Sequence, residues 1–231
     1  MRQLIRGHWQ LACLTLVVVL LWQSPAVYPL RLLTVFLHEL SHAAATLLTG
    51  GEVVSLSVNA QEGGMVVSRG GNRFVTLTAG YLGSLLIGAA LFLIALRTRW
   101  DRKVLGLLGA LMLLVAALHV REAFALGFTL ATGALMLGAA RYLSLPINDL
   151  ILRVIGLTSM IYAPLDIYSD TISRSYLRSD ARMLAEEFGG PTVLWGGIWL
   201  IISLGVIALT LRYGLGRNSN ITLRGPTLFR R

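Results

Sequence analysis

Two histidines four residues apart bracket a glutamate in His38-Glu39-Leu40-Ser41-His42. On a helix, residues at that spacing share one face, so both rings can reach a single ion at about 2.0–2.1 Å. Glu39 is then placed to hold and deprotonate a water. Imidazole donors with one open coordination position suit Zn2+, which lowers the pKa of a bound water to about 7. The box takes two of the chain's four histidines and lies in an apolar stretch. Ionisable groups are expensive in a bilayer and persist where they face a protein interior or a wet cavity and act there. The competing reading is a polar packing cluster or an interhelical hydrogen bond.

A catalytic zinc takes a third protein ligand. Most of the eleven acids fall in loops, whereas Asp166 ends the apolar run Met160-Ile161-Tyr162-Ala163-Pro164-Leu165. Pro164 would loosen that helix and free nearby carbonyls, as at sites lined by protein rather than lipid. Asp166 is therefore the expected third metal ligand, against the plainer reading of an interfacial helix end. Asp170, one turn on, is the runner-up. His119 is a further candidate, although Val120-Arg121-Glu122 after it reads as an interface turn. His8 reads as a flanking residue.

The elements that must position these groups are membrane helices. Of 231 residues, 55% are hydrophobic and 13% charged, against about 25% charged in soluble domains. Gly7–Leu30, Phe74–Leu96 and Phe188–Leu211 contain no Asp, Glu, Lys or Arg, and each is long enough to cross a hydrocarbon core of about 30 Å. Candidate spans are 9–22, 27–50, 74–96, 104–120, 122–140, 147–165 and 192–212. The first resembles a signal peptide but lacks a small-x-small cleavage site, so an uncleaved helix is expected.

The expected fold is an all-α polytopic membrane protein of about six to seven transmembrane helices with a small membrane-associated β-hairpin. It forms a single integral membrane domain over 1–231. A core carrying the box covers roughly 27–190, helices 9–22 and 192–212 are peripheral, and a basic tail covers 213–231.

The hairpin signal is Val53–Val58 and Met65–Ser68, β-branched and partly alternating, joined through Gly63-Gly64. An open sheet edge cannot face lipid, so the hairpin must lie at the membrane surface or among helices beside the site. Gly80, Ser84 and Gly88 recur every four residues, a spacing that lets helix backbones approach closely. Ser179 to Glu187 reads as a short amphipathic helix capped by Ser179 or Asp180.

Nineteen of the twenty basic residues are Arg, and the net charge is +9. They read as membrane-flanking charges. No basic, aromatic-studded soluble surface is visible, so nucleic acid is excluded as a partner. The loop Arg97–Lys103 and the tail can share the cytoplasmic side if an even number of passes separates them. A seven-helix count then sets the N-terminus, with Arg2 and Arg6, on the opposite side. The single cysteine, Cys13, permits neither an intrachain disulfide nor a Cys-based zinc site.

Phe36-Leu37-His38-Glu39-Leu40-Ser41-His42-Ala43, the Gly63-Gly64 hairpin, Thr78-Ala79-Gly80-Tyr81-Leu82-Gly83-Ser84 and Pro164-Leu165-Asp166 together resemble the site-2 protease family of intramembrane zinc metalloproteases. The likeness is to its small, mostly bacterial, membrane peptidase-like branch. It implies a Zn2+ cofactor, Asp166 as third ligand in the place of the family's Leu-Asp-Gly aspartate, and a membrane protein substrate. Here Ile167 stands where that motif has glycine.

The leading expectation is a zinc metalloendopeptidase of the cell membrane. It would cut a transmembrane or membrane-proximal protein, with Glu39 as catalytic base and His38, His42 and Asp166 as metal ligands. A catalytically silent protein that binds or chaperones partner helices is the alternative. A transporter lined by ionisable groups is the third reading, although no inverted repeats with matching broken helices are visible.

Overall fold

The computed structural model describes residues 2–221, so Arg224, Arg230 and Arg231 of the expected tail lie outside the described residues. Every candidate span is a helix: α1 Arg2–Leu20, α2 Tyr28–Leu48, α3 Arg73–Arg97, α4 Asp101–His119, α5 Ala123–Tyr142, α6 Leu145–Tyr168 and, after the short α7 Asp180–Phe188, α8 Thr192–Gly214. Strands β1 Glu52–Val58 and β2 Gly64–Arg69 sit between α2 and α3. Five helices are long and apolar enough to cross a membrane: α3, α4, α5, α6 with its continuation to Ser173, and α8. Leu107, Leu135 and Ile201 on three of them are 70%, 74% and 73% exposed. Side chains that apolar stay exposed on a stable surface when the solvent is hydrocarbon.

Local chemistry sets the element ends. The side chain of Asn72 accepts from the Val75 N–H at 3.1 Å and caps α3. Pro29 and Pro146 occupy the first turns of α2 and α6, where a missing N–H costs nothing. Gly50, Gly70 and Gly71 have φ of +82°, +69° and +77°, the left-handed backbone that glycine adopts freely. These turns lead the chain into and out of the hairpin.

The hairpin is antiparallel, with Glu52 opposite Arg69 and Val58 opposite Gly64, and an irregularity between Val53 and Ser55. Val53, Leu56 and Val58 are buried in one cluster with Leu33, Phe36 and Leu37 of α2. The turn is pinned to the start of α2 by Tyr28 Oη donating to Ala60 O at 2.8 Å and by the Arg31–Glu62 ion pair at 2.8 Å. Strand β1 thus packs among the helices, while β2 stays largely exposed.

The α3–α6 crossing is close because it is built on glycine. A Cβ on Gly88 would stand 2.6 Å from Ser159 Cβ, and one on Gly156 would stand 2.6 Å from Gly88 O. Ser159 Oγ donates to Ser84 O at 2.8 Å across the same seam. Ser84 and Gly88 therefore do the close packing that their spacing implied, while Gly80 faces the histidines.

The basic ends gather at one end of the bundle. Arg97 donates to Gly214 O at 2.8 Å, Ser219 N–H to Gly7 O at 2.8 Å, and Asn220 Nδ2 to Arg6 O at 2.8 Å. The start of α1, the α3–α4 loop and the end of α8 thus share a side, as the positive-inside rule favours. Arg6 and the residues after α8 lie together, where a seven-pass count would set them apart.

Candidate metal centre

Fourteen residues of α2 are buried, His38, Glu39 and His42 among them. The two rings meet edge to face with centroids 4.7 Å apart. His42 Nδ1 lies 2.7 Å from Thr76 O. A carbonyl can only accept, so Nδ1 carries the proton and Nε2 presents its lone pair, which is how ligating histidines are commonly oriented. The Tyr81 and His38 rings also meet edge to face, with centroids 4.8 Å apart. The Tyr81 hydroxyl donates to Asp170 Oδ2 at 2.7 Å.

The carboxylate brought to the imidazoles belongs to Asp180. Its Oδ2 stands 3.0 Å from His38 Nε2 and 3.1 Å from His42 Nε2. These three residues form the one metal-competent His/Cys/Asp/Glu group among the described residues, with ligand atoms all within 4.8 Å of one another. Two ligands on a tetrahedral zinc are about 3.3 Å apart when each bond is about 2.0–2.1 Å. Two nitrogens and one carboxylate oxygen at these separations fit zinc.

The position of Asp180 follows from the docking of α7. Ser179 caps the helix by accepting from Arg182 N–H at 3.3 Å, which leaves Asp180 free to turn inward. Ala181 and Leu184 pack with Leu77 and Tyr81 of α3, Ile167 of α6 and Trp199 of α8. The last helix, expected at the periphery, thus supplies part of the wall behind the site. Arg73 pairs with Glu187 at 2.9 Å at the far end of α7.

Asp166, the carboxylate expected as third ligand, lies on the wall of the same cavity of about 330 Å³ but outside the ligand group. Asp166, near the end of α6, does not come within ligating distance of both imidazoles, whereas Asp180 at the start of α7 meets both. Asp170 is taken by Tyr81 and by Arg174, whose Nη2 donates at 3.0 Å. His119 ends α4, and neither it nor His8 is in the group.

Glu39 is 6% exposed and lies against the hairpin. A Cβ on Gly64 would stand 2.6 Å from Glu39 Cγ and 2.7 Å from its Cδ, closer still to Oε1. A Cβ on Gly80 would stand 2.5 Å from His42 Nε2 and closer still to His38 Nε2. Two glycines from different elements therefore form the walls on either side of the box.

A family model described as Peptidase M50B-like matches residues 11–210, a stretch that includes the box, the hairpin and Asp180. The chain belongs to this family. It is a site-2 protease family, so the M50B-like assignment agrees with the resemblance read from the motifs. With five apolar helices, it makes this protein an integral membrane protein of peptidase descent. No curated protein and no solved structure matches the chain. M50 peptidases are zinc metalloproteases in general, and the His38, His42 and Asp180 donors are of the type that ion takes.

Sequence reasoning passed over Asp180, Thr76, Tyr81 and the site roles of Gly64 and Gly80. For Asp180 a signal existed: Ser179 and Asp180 are both capable caps, and a helix needs only one.

Proposed function

We propose that this M50B-like protein is a zinc-dependent endopeptidase that cuts a transmembrane or membrane-proximal protein, with His38, His42 and Asp180 as metal ligands and Glu39 as general base. The carrying observation is Asp180 Oδ2 at 3.0 and 3.1 Å from the two Nε2 atoms, with Glu39 beside them. Held by these three residues, a zinc ion would supply Lewis acidity for the scissile carbonyl and would lower the pKa of a bound water toward about 7. Glu39 takes the proton of that water and delivers it to the leaving amine, as a buried carboxylate next to the reacting atoms can. Thr76 O holds His42 in the ligating tautomer, and Tyr81 props His38.

The hairpin deals with the substrate backbone. Gly63, Gly64, Met65, Val66 and Ser68 line the cavity, so β2 borders it. A helical substrate shields its peptide bonds and must be extended before attack. An unwound segment can pair with β2 by strand addition, main chain to main chain. The partner implied is therefore a membrane protein whose cleaved stretch can unwind.

The test uses protein purified in detergent and unfolded β-casein as a substrate. Casein fragments are expected, lost on treatment with 1,10-phenanthroline and recovered on adding zinc. Fragmentation that survives chelation would contradict the metal-dependent reading.

A further inference from the structure

The cavity holds one carboxylate for which the peptidase chemistry has no use. Five acids line it: Glu39, Glu62, Asp166, Asp170 and Asp180. Glu62 pairs with Arg31, Asp170 is held by Tyr81 and Arg174, Asp180 meets the two imidazoles, and Glu39 is the base. Asp166 has neither a hydrogen-bond nor an ion-pair partner among the described residues. No basic side chain on the wall bonds it. Arg73 is committed to Glu187 and Arg174 to Asp170, and Arg178 stands exposed.

A partly buried carboxylate in a cavity is costly without a compensating donor. A donor that arrives with the substrate satisfies that demand and gains selectivity from it, because a site built around a charge rejects a substrate that lacks the partner. Membrane-spanning segments carry Lys and Arg at their edges, so the cation is available where such a substrate enters.

We propose that Asp166 is a specificity residue that receives the lysine or arginine side chain of a substrate next to the scissile bond. The inference rests on the peptidase reading for the bond cut, but its test does not need turnover. Glu39→Gln protein in detergent is titrated with short dye-labelled peptides of one sequence that differ only in a central Lys, Arg or norleucine, and binding is read by fluorescence anisotropy. The Lys and Arg peptides bind about tenfold tighter than the norleucine peptide, the size of one charge-assisted hydrogen bond. Adding Asp166→Asn brings all three to the norleucine affinity and leaves zinc content unchanged. Asp166→Glu, which keeps the charge, keeps the preference and guards against a folding defect in the Asn variant.

Equal affinity for the three peptides, a preference that persists in Asp166→Asn, or loss of zinc on that substitution overturns the proposal. A protein that prefers the basic peptides yet never cuts casein would instead leave Asp166 in its role and remove the hydrolase reading.

Discussion

Glu39→Gln lowers casein cleavage by about three orders of magnitude and leaves the zinc content as it was. The size follows from what is removed. General acid–base assistance contributes roughly 10²–10⁴-fold, and glutamine keeps the volume of glutamate but cannot take a proton. Metal is retained because Glu39 lies outside the group formed by His38, His42 and Asp180. Fold is retained because the glutamine side chain still fills the space below Gly64, where Glu39 leaves no room for a Cβ. Activity is read by gel densitometry of the casein fragments and metal by mass spectrometry of the same preparation. Loss of zinc together with activity would make Glu39 a ligand or a structural prop and not a base.

Gly80→Ala has an effect of opposite sign to the one helix propensity gives. In the interior of a helix alanine is favoured over glycine by about 0.8–1.0 kcal/mol, so on local grounds the substitution stabilises α3. The added methyl, however, would stand 2.5 Å from His42 Nε2 and nearer still to His38 Nε2. Backbone fixed in a helix cannot yield, so the two rings must move. Disturbing the orientation of metal ligands costs about 10–100-fold in metal affinity. Zinc affinity, measured by competition with a chromophoric chelator, falls by about that factor, while thermal unfolding is unchanged or slightly raised. Gly127→Ala on α5, with nothing within 4 Å of the new carbon, leaves both measurements at the wild-type values. Unimpaired zinc binding in Gly80→Ala would mean that α3 does not wall the metal site as described.

The helices and the hairpin were legible because each rests on a local pattern. Apolar blocks of bilayer length make spans, and Gly63-Gly64 between β-branched runs makes a turn. Two further features were half legible. The Gly80, Ser84, Gly88 spacing announced close packing, but sequence alone does not say which neighbour a small residue faces. Ser84 and Gly88 face α6 while Gly80 faces the histidines. The carboxylate that the structure brings to the imidazoles differs from the one expected for a related reason. His38 and His42 are tied by helical periodicity, four residues apart, whereas Asp180 is 142 residues from His38 and reaches it only through the docking of α7. Asp166 stood out because it ends an apolar helix beside a proline. Asp180 was hidden because a polar residue at the start of a short amphipathic helix already has an explanation as a cap. Ser179 is the residue that caps, and the acid beside it is free for the site.

The proposed hydrolysis depends on one metal ion held by His38, His42 and Asp180. Zinc content of the detergent-purified protein, compared between wild type, Asp180→Ala and Asp166→Ala, tests that ligand set most directly. About one zinc per chain is expected in wild type and in Asp166→Ala, and a small fraction of that in Asp180→Ala. Zinc kept by Asp180→Ala and lost from Asp166→Ala would contradict it.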